Sequence, residues 1–199
     1  METETAYREI LSETRGLLRQ LPHLAAFADL NWDDLPFVRP EPRPLAIGDQ
    51  IPAIAEQSSH LTGPLAHAIA GAVPVLRLEQ TYLRSEVGGN YLRNYGWFDL
   101  AAPLGPFVTP GFRIAVGIWG QGLIYPEHLY QPQGIYVVLA GGAVLRGDDL
   151  PPVRLRPGHT IELASCQIHQ IDMTETPMMA MGFWKGDGLA DKPQLVGSA

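Results

Sequence analysis

Apolar residues recur at helical spacing in one early stretch, where Tyr7, Ile10, Leu11, Leu17, Leu18 and Leu21 fall within residues 4–21. This pattern predicts a helix that stops at Leu21-Pro22, because proline excludes the helical conformation of the residue before it. Prolines at 22, 36, 40, 42, 44 and 52 then break regular structure, which predicts a connecting arm packed over the rest of the chain. A second helix is expected over Ala53–Ala70, with an interruption near Gly63-Pro64. From Leu76 the texture changes to short apolar runs bounded by Gly, Pro or Asn: LRLEQTYLR, YLRNYGWFDLAA, FRIAVGIWG, IYVVLAGGAVLRG, VRLRPGHTIELA and MMAMGFWKG. Such runs with turn signals predict an antiparallel sandwich or barrel. The absence of helical runs between them argues against a parallel α/β fold. The expected architecture is mainly β: a helical extension with a Pro-rich arm over 1–75, a closed or nearly closed antiparallel β-barrel over 76–190, and a loose tail over 191–199. No helix longer than three turns is expected between Val108 and Trp184.

At 199 residues the chain suits one domain, or one domain with an extension, and can bury a core without a disulfide or metal. Its net charge of −7, with a pI of about 5.3 and no Lys/Arg cluster, argues against binding nucleic acid or an anionic membrane. The one cysteine, Cys166, permits no internal disulfide and reads either as a nucleophile or as a small residue in a turn. The amphipathic N-terminus lacks the order of a signal peptide, and no apolar stretch is long enough to span a membrane. A cytoplasmic location is the expectation.

Chemistry concentrates between Gly122 and Gly141, in GLIYPEHLYQPQGIYVVLAG. His128 stands among Tyr125, Tyr130 and Tyr136. Strand side chains alternate, so if Ile135, Val137 and Leu139 face outward, Tyr136 and Val138 point into the barrel. There they either fill a core or line a pocket. His60 and His67 share a helical face, but no third ligand accompanies them at helical spacing. Trp97, Phe98, Trp119 and Trp184 suit a core or a pocket wall, and an aromatic wall suits a sulfonium or ammonium ligand.

The spacing of this stretch resembles the first motif of the cupin superfamily, which runs Gly, five residues, His-x-His, three or four residues, Glu, six residues, Gly. Gly122, His128 and Gly141 keep the frame, whereas Tyr130 stands at the second histidine and Gly134 at the glutamate. ASCQIHQID resembles the second motif, with Cys166 at its glycine and His169 at its histidine; His159, in RPGHTIEL, is a competing candidate. YLRNYGWFDLAAPLGP, FRIAVGIWGQGLIYPEHLYQPQGIYVVLAGGAV and PMMAMGFWKGDG resemble, in order and spacing, the cupin branch of dimethylsulfoniopropionate (DMSP) lyases and their relatives.

That resemblance implies a cupin jelly roll. It also implies elimination of dimethyl sulfide from DMSP to give acrylate, with a tyrosinate removing the proton beside a carboxylate that approaches a divalent metal. Tyr136 and Tyr125 match the family tyrosines, and His128 and His169 fall at metal-ligand positions. Tyr130, Trp119 and Trp184 are then expected to bind substrate, a small carboxylate with or without a sulfonium group. The implied metal is zinc, iron or manganese, and its loss is an open alternative because Tyr130 and Gly134 replace two usual ligands. A metal-free enzyme acting on another small acid and a non-catalytic binding or sensing cupin are the other readings. A homodimer paired through sheet edges is a further family expectation.

Overall fold

The computed structural model describes residues 2–147 and 150–197. Helix α1 (Thr3–Leu18) buries Ala6, Tyr7, Ile10, Leu11, Thr14, Leu17 and Leu18 along one face. Pro22 opens the next helix, α2 (Pro22–Phe27), since proline is tolerated in a first turn. The single helix expected over Ala53–Ala70 is two helices, α3 (Ile51–Ala55) and α4 (Gly63–Ala72). Pro52 and Pro64 each lie in a first turn, so each starts a helix and does not interrupt one.

The run LRLEQTYLR is not a ladder strand. It contributes only isolated bridges, Arg43 with Arg77 and Glu79 with Trp97. Helix α5 (Arg84–Arg93) follows, although no helix is expected there. Its Gly-Gly-Asn centre is a poor helix former, and Gly88 leaves the helical region at φ 80°. Glu86 accepts the Leu83 N–H at 2.7 Å, which fixes the first turn.

Eleven strands then follow among the described residues: β1 (Tyr95–Ala102), β2 (Phe107–Val108), β3 (Phe112–Trp119), β4 (Leu123–Leu129), β5 (Gln133–Gly141), β6 (Ala143–Gly147), β7 (Leu150–Leu155), β8 (Thr160–Leu163), β9 (His169–Met173), β10 (Met178–Lys185) and β11 (Gln194–Leu195). No helix interrupts residues 108–184 among those described. The strands form a six-stranded sheet in the order β2-β1-β3-β10-β5-β8 and a five-stranded sheet in the order β11-β4-β9-β6-β7. All ladders are antiparallel except β1 with β2.

The fold is thus cupin-like and mainly β, but the sheets do not close into a barrel as expected. Their edges explain this. β2 and β11 are two residues long, and β7 carries Pro151 and Pro152, which have no N–H to donate to a further strand. The sheets are joined by side chains instead. Tyr95, Trp119, Val138 and Met178 from the first pack with Leu123, Tyr125, Leu145, Ile171 and Met173 from the second. Helices α1, α3 and α4 cover the outer face of the six-stranded sheet, where Ile10, Ile51 and Ile69 share one core with Ile114, Val137, Met181 and Phe183. Each such buried side chain contributes about 1.5–3 kcal/mol.

Among its described residues, 191–197, the tail is not loose. Gln194 and Leu195 pair with Leu129 and His128. Among the described residues no helix is long and apolar enough to cross a membrane.

Candidate active site

Two adjacent strands of the five-stranded sheet, β4 and β9, set His128 directly opposite His169. Their rings lie 4.1 Å apart between centroids. The Nδ1 of His128 lies 2.7 Å from the Pro126 carbonyl, and that of His169 lies 3.0 Å from the Gln167 carbonyl. A carbonyl only accepts, so each Nδ1 carries the proton and each Nε2 holds a lone pair. Both Nε2 atoms are buried without a partner. Burial holds both imidazoles below their ordinary pKa, and for His128 the neighbouring His169 adds to the effect.

The motif frame has a conformational basis. Gly122 and Gly141 have φ of 87° and 68°, values that glycine reaches without strain. A Cβ on Gly141 would lie 1.9 Å from the Pro177 carbonyl oxygen. Cys166, at the second motif's glycine position, also has positive φ, 58°, and its N–H donates to the Tyr130 carbonyl at 2.8 Å. The turn keeps its glycine-like shape and delivers His169 inward. His159 instead lies exposed in the turn before β8, so of the two candidates only His169 joins the site.

A chain of phenols runs beside the histidines. The Tyr82 and Tyr125 hydroxyls are 2.6 Å apart, those of Tyr125 and Tyr130 are 3.4 Å apart, and Tyr130 in turn interacts with Tyr136, with which it lines one cleft. Tyr125 also stacks on His128 with ring centroids 3.6 Å apart. Tyr91 and Tyr95 pack against Tyr82 and Tyr125, so six of the chain's seven tyrosines gather here, all but Tyr7. Burial pushes the Tyr125 and Tyr136 hydroxyls well above their ordinary pKa. Tyr130 is also raised by burial, but its interactions with Tyr125 and Tyr136 and the charge of Arg113 act in the opposite direction.

These groups border a cleft of about 180 Å³ lined by Trp97, Arg113, Trp119, Tyr130, Tyr136 and Trp184 among others. Tyr125, His128 and His169 lie behind this wall and do not line it. The indoles lie flat because residues two apart share a strand face. Trp119 covers Gly117 and Trp184 covers Gly182, where a Cβ would come within 2.1 Å of either ring. Trp184 also lies over Gly134: a Cβ there would sit 2.6 Å from its Cδ1. The indole therefore fills the space into which the glutamate of the cupin motif would project.

The family-model match for dimethylsulfoniopropionate lyase spans residues 43–180. The chain belongs to the DMSP lyase family. Two solved structures agree along almost the whole length. One is from the crystal structures of the DMSP lyases RdDddP and RnDddQII, with 30% identity over 98% of this chain and 99% of that one, at a TM-score of 0.92. The other is DMSP lyase DddQ from Ruegeria pomeroyi DSS-3, with 27% identity over 96% of both chains, at a TM-score of 0.89. No curated protein matches the sequence.

For a member of the DMSP lyase family the donor set is short. The unpartnered Nε2 atoms of His128 and His169 suit two ligand positions, with fixed tautomers of the kind metal-bound histidines have. Among the described residues no group of three or more His, Cys, Asp or Glu could hold a metal ion. The remaining nearby donors are phenols kept neutral by burial. Two neutral imidazoles without a carboxylate do not fit a tightly held dication. Sequence reasoning missed Arg113, which sits in an ordinary strand pattern, and Tyr82, whose segment reads as a strand. The Gly-x-Trp spacing in GIW and GFW was a usable signal for the flat indoles.

Proposed function

We propose that this chain eliminates dimethyl sulfide from DMSP, or from a close onium carboxylate, to give acrylate. The observation that carries the proposal is the meeting of Tyr130 and Tyr136 at an aromatic cleft in a chain of the DMSP lyase family. Trp119, Trp184 and the tyrosine rings suit a sulfonium through cation–π attraction. Tyr136 is the proposed base; Tyr125 lies beyond Tyr130 in the same chain of phenols, and contact with Tyr130 raises the Tyr136 hydroxyl further. The phenolate takes the proton from the carbon beside the carboxylate. The C–H electron pair becomes the new C=C bond, and the C–S bond breaks with its pair on sulfur. Neutral dimethyl sulfide leaves.

Burial keeps the Tyr136 phenolate scarce near neutral pH, whereas the positive charge of the sulfonium favours it. The rate therefore rises toward alkaline pH. His128, His169 and Tyr130 are the residues that would approach a zinc, iron or manganese ion. Their neutral character supports the reading that purified protein carries such a metal below stoichiometry, which elemental analysis measures. A second reading, a non-catalytic binding member of the family, is favoured by the Trp184 indole over Gly134. Headspace detection of dimethyl sulfide, with and without added divalent metal, tests the two. Product supports the lyase, and none under any metal condition leaves the binding reading.

A further inference from the structure

Two cations line the cleft among the described residues: Arg113, on β3, and Lys192, which with Asp191 belongs to the segment that follows β10. Lys192 is already bound to Glu86 at 2.7 Å. The imidazoles and phenols around the cleft are kept neutral by burial. Arg113 is held firmly. Its Nε donates to Asp99 Oδ1 at 2.7 Å and its Nη1 to the Leu189 carbonyl at 3.2 Å. Its guanidinium centre lies 4.8 Å from the Trp97 ring and 5.8 Å from the Trp184 ring, and only 16% of the side chain is exposed. A guanidinium has five N–H donors in a planar fork that matches a carboxylate. These two bonds leave donors over.

We propose that Arg113 anchors the substrate carboxylate in this cleft, so that the onium end lies against Trp119, Tyr130 and Tyr136. The proposal rests on the small onium-carboxylate reading given above, and assigns the carboxylate contact to an arginine of the wall. Two contacts set the specificity. The guanidinium fork holds the carboxylate and the aromatic wall holds the onium group. A zwitterion makes both contacts, whereas a bare carboxylate or a bare onium ion makes only one. The cleft thus selects zwitterions over either half-molecule.

Calorimetric titration of EDTA-dialysed protein tests this without turnover. The probes are 3-(trimethylammonio)propionate, ethyltrimethylammonium and propionate. The wild-type chain is expected to bind the zwitterion about tenfold or more tighter than either fragment, a factor worth about 1.4 kcal/mol. Arg113→Gln alone would strand the partly buried Asp99, so it is paired with Asp99→Asn. In that double variant the preference for the zwitterion over ethyltrimethylammonium should collapse. Arg113→Lys keeps the charge without the fork and should weaken the zwitterion several-fold while leaving ethyltrimethylammonium unchanged. A wild type without preference for the zwitterion overturns the proposal. So does an unchanged preference in the double variant, or, if that variant does not fold, an equal effect of Arg113→Lys on zwitterion and cation. Failure of the lyase reading is separate: betaine binding that depends on Arg113 with no dimethyl sulfide from DMSP keeps the anchor and removes the reaction.

Discussion

The two faces of the six-stranded sheet are made by alternate residues of the same strands, yet they have opposite chemistry. On the outer face Ile114, Val116, Ile118, Ile135, Val137, Leu139, Met179, Met181 and Phe183 form one aliphatic and aromatic core with the helices. On the inner face the same strands present Arg113, Ala115, Gly117, Trp119, Tyr136, Gly182 and Trp184. Small residues make room there for flat indoles and hydroxyl-bearing rings. A period of two residues thus separates the side that stabilises the chain from the side that can bind and react.

The largest expected effect is on the inner face. Tyr136→Phe should lower dimethyl sulfide release by roughly 10²- to 10⁴-fold, the span of general acid–base catalysis. It should change urea-unfolding stability by only about 1 kcal/mol, one hydrogen bond's worth. A Phe variant with full activity would break the assignment of chemistry to this face. Phe183→Ala, on the opposite face of β10, should do the reverse. It should cost about 3–5 kcal/mol in denaturant unfolding while activity per folded molecule persists. Selective loss of activity in fully folded Phe183→Ala would show that the faces are not separable.

A smaller effect is expected at the position where the motif glutamate is missing. Gly134→Ala places its Cβ against Trp184 and should cost about 1–3 kcal/mol by overpacking, with a shift in tryptophan emission. Unchanged emission would show that Trp184 is not fixed over Gly134. The smallest effect is on pH. The native state holds His128 and His169 below their ordinary pKa, whereas the unfolded chain takes up protons near pH 6.5. Below that pH the unfolded state binds more protons, so stability falls as pH drops from about 6.5 toward the folded pKa values and is unaffected by these groups above it. Thermal melts of EDTA-dialysed protein from pH 7.5 to 5 should show the decline, and His128→Gln with His169→Gln should flatten it. An unchanged slope in the double variant would assign the decline elsewhere.

The alternation that divides the sheet was readable in the sequence. Ile135, Val137 and Leu139 do pack outward, and Tyr136 and Val138 do point inward. The strand runs from Tyr95 onward and the Gly122–Gly141 frame were also legible, because period and turn residues are local signals. Helix α5 was not, since a Gly-Gly-Asn centre hides helical propensity and the Glu86 side chain that accepts the Leu83 N–H follows no Ser, Thr, Asp or Asn at the cap. The open edges were not legible either, because closure depends on pairing between strands far apart in sequence. Arg113 was invisible for a related reason: its partners Asp99 and Leu189 are brought to it only by the folded sheet.

The last short strand has a practical consequence. Gln194 and Leu195 cover the free side of β4, the strand that carries His128, and Val196 adds an N–H to the Glu127 carbonyl at 2.8 Å. Cutting the chain before Gln194 would uncover a row of unsatisfied backbone groups, a template on which other chains can add as strands. Shortened versions should therefore self-associate before they lose their fold, and a purification tag belongs at the end away from this seam.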